Sequence, residues 1–226
     1  MMRKCILLLV GATLFVAQAA TASTAVLGFG GLGCWEPVES FYNGGAGGFG
    51  SGPGTNYGIA FTSNALALPS ANTSQGQSCF SNIANTPSGS NGLFFLGKSA
   101  ATMNDRSGFT DGFSFDYSAP YYSGFVDVWS GLNGTGTLLA TLDLPTTAGC
   151  AQRPNYCVWD SIGVKFSGAA ESVQFGGSEN YIVFGDITLG SSIPGTPTPE
   201  PATIALLGGG LIGTGIRLRR RRNRKP

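Results

Sequence analysis

The sequence predicts an all-β protein, an antiparallel β-sandwich with a hydrophobic helix at each terminus. Three observations carry this. Short segments alternate apolar and polar residues with period two, the mark of strands with one face on a core. Glycine supplies 36 of 226 residues, about double its usual ~7% share, and clusters between those segments where tight turns belong. No stretch between Ser23 and Ser191 shows helical periodicity over ten or more residues. An aromatic share of 11% supplies core surface and argues against disorder.

The first element is a targeting segment. Arg3 and Lys4 precede an apolar run from Ile6 to Val16, too short to span a bilayer, and small residues follow it. This is the plan of a secretory signal peptide over residues 1–22. Both Ala17-Gln18-Ala19 and Ala20-Thr21-Ala22 fit a signal-peptidase site, and cleavage after Ala22 is favoured. Cys5 is lost with the signal.

The exported domain follows, over residues 23–191. Tyr42 to Gly54 is a long glycine-rich loop with few side chains to offset its ordering entropy, so it reads as functional or mobile. FSFDY alternates Phe113, Phe115 and Tyr117 against Ser114 and Asp116, and GFVDVW sets Val126 and Val128 on one face. LLATLDL alternates Leu138, Ala140, Leu142 and Leu144 against Leu139, Thr141 and Asp143. IGVKF, SVQF and YIVFGDITL are further strands, the last ending the domain at Leu189. Gly131 to Gly136 reads as a hairpin connection, and Gly176 to Asn180 reads as a second one. Regular strand and turn spacing points to a sandwich of the jelly-roll, lectin-like kind.

Residues 192–198 are a linker whose prolines favour an extended, solvent-exposed chain. Beyond it come Pro199-Glu200-Pro201, then a mostly apolar stretch from Ala202 to Ile216 containing Ile204, Leu206, Leu207, Leu211 and Ile212. Fifteen residues make a helix of about 22 Å at ~1.5 Å per residue, short of a ~30 Å hydrocarbon core. Arg217, Arg219, Arg220, Arg221 and Arg222 then place a basic stop at cytoplasmic headgroups. Residues 199–226, in this order and spacing, resemble the PEP-CTERM sorting signal of Gram-negative bacteria. The resemblance implies export, transient membrane association, and cutting near the PEP motif by an exosortase-like enzyme after signal peptidase has acted. It also implies a link to extracellular polysaccharide. The body resembles a recurrent group of PEP-CTERM proteins in FYNGGAGGFGSGPGTNYGIAFTSNALAL, GTGTLLATLDLP and ENYIVFGDITLG, a group with no assigned activity. An ordinary, permanently retained membrane anchor is the alternative for the tail.

The formal charge of +1 averages two opposite regions. Of thirteen Lys and Arg, two lie in the first four residues and seven from Arg217 onward. Four remain between, against all twelve acids, giving −8. Phosphate would be repelled, so nucleic acid is excluded as a partner of the folded domain.

Cys34, Cys79, Cys150 and Cys157 survive signal removal, and an even count in an exported chain implies disulfides. Of three possible pairings, Cys150–Cys157 is favoured because it closes a short loop with Pro154 and Asn155 in it, and Cys34–Cys79 follows by elimination. Zinc is disfavoured, since there is no CxxC pair and no histidine.

Two phosphate-binding patterns match and are rejected. GFGGLG, residues 28–33, runs into Cys34-Trp35-Glu36-Pro37, where the proline bars the required helix. GLFFLGKS fits G-x-x-x-x-G-K-[ST] at Gly92, Gly97, Lys98 and Ser99, but Leu93 to Leu96 reads as a buried strand. Absence of histidine removes Ser-His-Asp and Cys-His catalysis. Asp105, Asp111, Asp116, Asp127, Asp160, Glu179 and Asp186 could supply a glycosidase pair, but the sequence singles out none. No cofactor is expected. Asp105 and Asp111 are the candidate Ca²⁺ ligands, as carboxylates suit a hard cation. Tyr117, Tyr121, Tyr122 and Trp129 are candidates for stacking on sugar rings.

The sequence therefore points to a non-enzymatic, exported protein of the Gram-negative cell surface or extracellular matrix, with a structural or carbohydrate-binding role. The alternative is a carbohydrate-active enzyme with paired carboxylates.

Overall fold

In a computed structural model, residues 24–87 and 91–195 are described. The strands are β1 (Ala25–Leu27), β2 (Glu36–Pro37), β3 (Ile59–Phe61), β4 (Ala65–Pro69), β5 (Asn91–Phe95), β6 (Ala100–Phe109), β7 (Phe113–Ser118), β8 (Gly124–Gly131), β9 (Thr135–Leu144), β10 (Asp160–Val164), β11 (Ala170–Gly177) and β12 (Val183–Leu189). Among the described residues the one α-helix is α1 (Ser74–Ser78). The signal-peptide and sorting segments, and with them both expected terminal helices, lie outside the described residues.

The strands form two antiparallel sheets, and the fold is a β-sandwich. The larger runs β10-β7-β12-β5-β4-β2, with β1 beside β12. The smaller runs β3-β6-β11-β8-β9. The inward faces meet in a phenylalanine-rich core. Phe113, Phe115, Phe175 and Phe184 are fully buried, and Phe175 and Phe184 meet edge to face across the sandwich at 4.9 Å. Val126 and Val128 of β8 also point into this core. Period-two alternation alone is enough to place them there.

The β8–β9 hairpin is as the sequence predicts. Leu132, Asn133 and Gly134 connect the strands, and Asn133 and Gly134 both take positive φ, 59° and 69°, which Asn and Gly tolerate. The second expected hairpin is not one. The segment after β11 carries the chain from the smaller sheet to the larger, and β12 pairs with β7, not β11. Alternation identifies strands without naming their partners.

Ser114 and Asp116 were expected to face water, yet every residue of β7 is buried. The outward face of the larger sheet carries a second core of Leu68, Ile83, Phe94, Tyr156 and Val183. The segments around α1 and around Tyr156 cover it. The Cys34–Cys79 bond ties the first of them to the chain just before β2, and Cys150–Cys157 closes a loop within the second.

The glycine-rich loop is tied down, against the expectation that little holds it. The carboxylate of Glu36, fully buried, accepts N–H bonds from Gly33 at 2.6 Å, Phe49 at 3.0 Å and Ser51 at 3.0 Å. Backbone bonds from Gly48 to Pro37 and from Gly54 to Phe41 add to these. One charged side chain thus supplies what the glycines lack.

Candidate functional site

The second core opens into a cleft of about 170 Å³ on the outer face of the larger sheet. Its floor is Leu68 of β4, Phe94 of β5 and Val183 of β12. Trp35, Phe80 and Tyr156 form aromatic walls. Asn82, Asn180 and Arg153 supply polar groups. This mixture of apolar floor and few polar groups is the usual makeup of a small-ligand site.

Each wall is fixed next to a cysteine. Trp35 follows Cys34, Phe80 follows Cys79 and Tyr156 precedes Cys157. The Cys34–Cys79 bond, with Cα atoms 5.9 Å apart, ties the Trp35 and Phe80 walls together. Trp35 also rests edge-on against Phe94, ring centres 5.2 Å apart. Phe80 projects from the end of α1. Thr73 caps that helix by accepting from the Gly76 N–H at 3.0 Å. A side chain at Gly76 would collide with the Ser70 carbonyl, so the helix can lie here only with glycine. On the far wall, Tyr156 forms a parallel bridge with Ile83. Its hydroxyl donates to the Asn180 carbonyl at 3.3 Å.

Three lining residues occupy the left-handed region: Trp35 at φ 58°, Phe80 at 54° and Asn180 at 66°. Bulky aromatics rarely adopt it, at a cost of about 1–3 kcal/mol each, and such strain concentrates at functional sites. The two aromatics also stay unusually wet, Phe80 at 85% exposure and Trp35 at 44%.

The aromatic surface continues beyond the cleft. Tyr121 packs against Tyr156 and Tyr181, both at 5.9 Å, and Tyr122 meets Tyr181 at 4.8 Å. Of seven exposed aromatics among the described residues, five (Trp35, Phe80, Tyr121, Tyr122 and Tyr181) stand here. Burial pushes the Tyr156 hydroxyl up to about 12, helped by Tyr121 and Tyr181, so it remains a hydrogen-bond donor at physiological pH.

The four aromatics singled out by sequence therefore separate. Tyr121 packs on the outer side of the cleft wall Tyr156, and Tyr122 lies beyond it against Tyr181. Tyr117 is buried between the sheets, its hydroxyl donating to the Pro145 carbonyl, and Trp129 lies half-buried on β8 of the smaller sheet. Trp35, Phe80, Tyr156 and Tyr181 were missed. The first three carry a usable signal, an aromatic adjoining a disulfide cysteine.

The carboxylates do not converge on the cleft, and no Asp or Glu lines it. Asp105 sits on β6, accepting from the Ser107 N–H at 2.9 Å. Asp111 occupies the following turn, bonded to the Thr110 hydroxyl at 2.8 Å. Among the described residues no three His, Cys, Asp or Glu are grouped to hold a metal. Asp127 binds the Thr141 hydroxyl at 2.6 Å, Glu179 accepts from the Gly97 N–H, and Asp160 begins β10. Asp116 accepts from the Ser161 hydroxyl, and its carboxyl lies above the ordinary range because of burial and the nearby Asp186 charge. Asp116 and Asp186 are both buried. Leu93 to Phe95 lie in buried β5 (Asn91–Phe95), so GLFFLGKS is a strand and turn.

Pro199 to Pro201, the Ala202–Ile216 stretch, the arginine cluster and the cleavage residues Ala20 and Ala22 lie outside the described residues. Among the described residues no helix is long and apolar enough to cross a membrane. Residues 197–222 match the family model of the PEP-CTERM protein-sorting motif. The chain is an exported protein with a C-terminal PEP-CTERM sorting signal. The motif implies processing by exosortase-type sorting machinery. No curated protein matches the chain. Among solved structures it is similar to a glycoside hydrolase family 43 arabinoxylan arabinofuranohydrolase from Bacillus subtilis in complex with cellotetraose. That match has 20% identity and a TM-score of 0.38, and covers 59% of this chain and 26% of the other. The chain thus spans about a quarter of that protein's length, and so distant a likeness adds nothing to the reading of the site.

Proposed function

We propose that the PEP-CTERM protein is a non-enzymatic carbohydrate-binding component of the cell surface or extracellular matrix of a Gram-negative bacterium, and that the disulfide-framed aromatic cleft takes the sugar. The observation that carries this is the placement of exposed Trp35 and Phe80 on a cystine-linked frame beside Asn82, Asn180 and Arg153. Aromatic faces stack on the C–H face of a pyranose, and amides bond its hydroxyls. Holding the rings in place beforehand lowers the entropy lost on binding. Hydrolysis needs two carboxylates about 5–9.5 Å apart, and the cleft lining offers none, which favours binding over cleavage there.

Affinity electrophoresis through gels containing xylan, dextran or alginate tests the reading. Retardation of the wild type by at least one polymer, lost in a Trp35→Ala/Phe80→Ala double variant with unchanged far-UV circular dichroism, is the expected result. Equal mobility of both proteins in every gel contradicts it.

A further inference from the structure

The cleft's charge is at odds with the domain around it. The described residues contain eleven acidic side chains and four basic ones. Yet the lining holds one of the four, Arg153, and none of the eleven. Arg106 lies on β6 in the other sheet, and Lys98 and Lys165 occupy exposed turns. Among the described residues no carboxylate pairs with the Arg153 guanidinium. An unpaired arginine in an acidic protein, next to stacking aromatics, is set up to meet an anion from outside.

The base of Arg153 is fixed. Its loop is closed by Cys150–Cys157, with Cα atoms 6.2 Å apart. The loop is also anchored internally by the Cys150 N–H to the Asn155 carbonyl at 3.3 Å. Two further bonds hold it to the sheet-covering segment: Tyr156 N–H to the Asn82 carbonyl at 3.0 Å and Ala84 N–H to the Tyr156 carbonyl at 2.8 Å. The loop backbone is anchored this way, and the exposed guanidinium it carries offers two parallel N–H bonds matched to a planar carboxylate.

We propose that the cleft selects a uronic-acid-containing saccharide, its ring stacked on Trp35 or Phe80 and its carboxylate paired with Arg153. This rests on the carbohydrate-binding reading of the same cleft and adds the charge of the ligand. The surrounding negative charge opposes loose, non-specific attraction of polyanions, so selection has to come from this one contact.

The test compares the full exported protein, disulfides intact, against polygalacturonate, alginate and hyaluronan, each beside its carboxyl-reduced neutral counterpart. At least one acidic polymer binds more tightly than its reduced form, by about ten- to a hundredfold, as expected for a hydrogen-bonded charged pair. Arg153→Gln brings that ratio to about one, and Arg153→Lys leaves an intermediate ratio, because it keeps the charge without the fork. Near-UV circular dichroism verifies that both variants are folded. Equal affinity of the wild type for acidic and reduced forms overturns the charge selection and leaves the sugar-binding reading standing. Binding to neither form of any polymer also overturns it, and the sugar-binding reading falls with it only if xylan and dextran are not bound either.

Discussion

Glu36 decides how a glycine-rich segment becomes ordered. Three backbone N–H groups converge on its carboxylate, and the Ser51 hydroxyl adds a fourth bond. Burial works to raise its pKa, but these bonds outweigh it and hold the carboxyl below its ordinary value of 4.5. Glu36→Ala strands buried donors worth about 1–3 kcal/mol each, so urea unfolding should show a loss of about 3 kcal/mol or more. Glu36→Gln keeps an acceptor and loses about 1–2 kcal/mol. The pH dependence has a definite sign. A lowered folded-state value gives stability that is present above the unfolded value and lost as pH falls through the folded one. Below about pH 4.5 the wild type should therefore lose stability more steeply than Glu36→Gln. Asp105 and Asp116, raised chiefly by burial, contribute in the opposite sense. Parallel slopes in the two proteins would show that Glu36 is not held as a carboxylate. The sequence shows a glutamate beside a glycine run. It does not show that the run folds back over the glutamate, because that contact spans 13 to 15 residues.

At the scale of elements, the cleft depends on two short covering segments locked to the sheet. In the chain-entropy model, opening Cys34–Cys79, which closes 45 residues, costs about 4 kcal/mol, and opening Cys150–Cys157, which closes 7, about 2.5 kcal/mol. Denaturation of the two double-serine variants should rank them in that order. A reversed ranking would mean the loops are not independently ordered by their bonds. Gly76→Ala is predicted to displace α1 from the Ser70 carbonyl and move Phe80, weakening sugar binding more than it lowers the thermal midpoint. Equal binding by this variant would show that the Phe80 wall is not part of the site. Strands were readable here because Phe113, Phe115, Val126 and Val128 keep a strict two-residue period. The covering segments were not, since Ala71 to Pro87 and Pro145 to Trp159 have no period and act through long-range packing. A run of aromatics in sequence does not reveal the cleft, which gathers Trp35, Phe80 and Tyr156 from three separate segments.

For the whole molecule, termini and body have separate roles. The C-terminal sorting signal directs traffic, and its motif is linear, so sequence alone makes it legible. The cleft is a property of the fold, so its residues emerge only from the structure. If the tail is cut near Pro199-Glu200-Pro201, mass spectrometry of the surface-extracted protein will find no peptide containing Arg217 to Lys225. Recovery of those peptides in the mature form would indicate a permanent anchor. The central claim, that the aromatic cleft binds sugar, is tested most directly by tryptophan fluorescence during titration with polygalacturonate, alginate, hyaluronan, xylan and dextran. Trp35 lines the cleft, while Trp129 and Trp159 do not. The account predicts a saturable emission change with at least one polymer that disappears in Trp35→Phe. No change with any polymer, or a change that persists undiminished in Trp35→Phe, would contradict it.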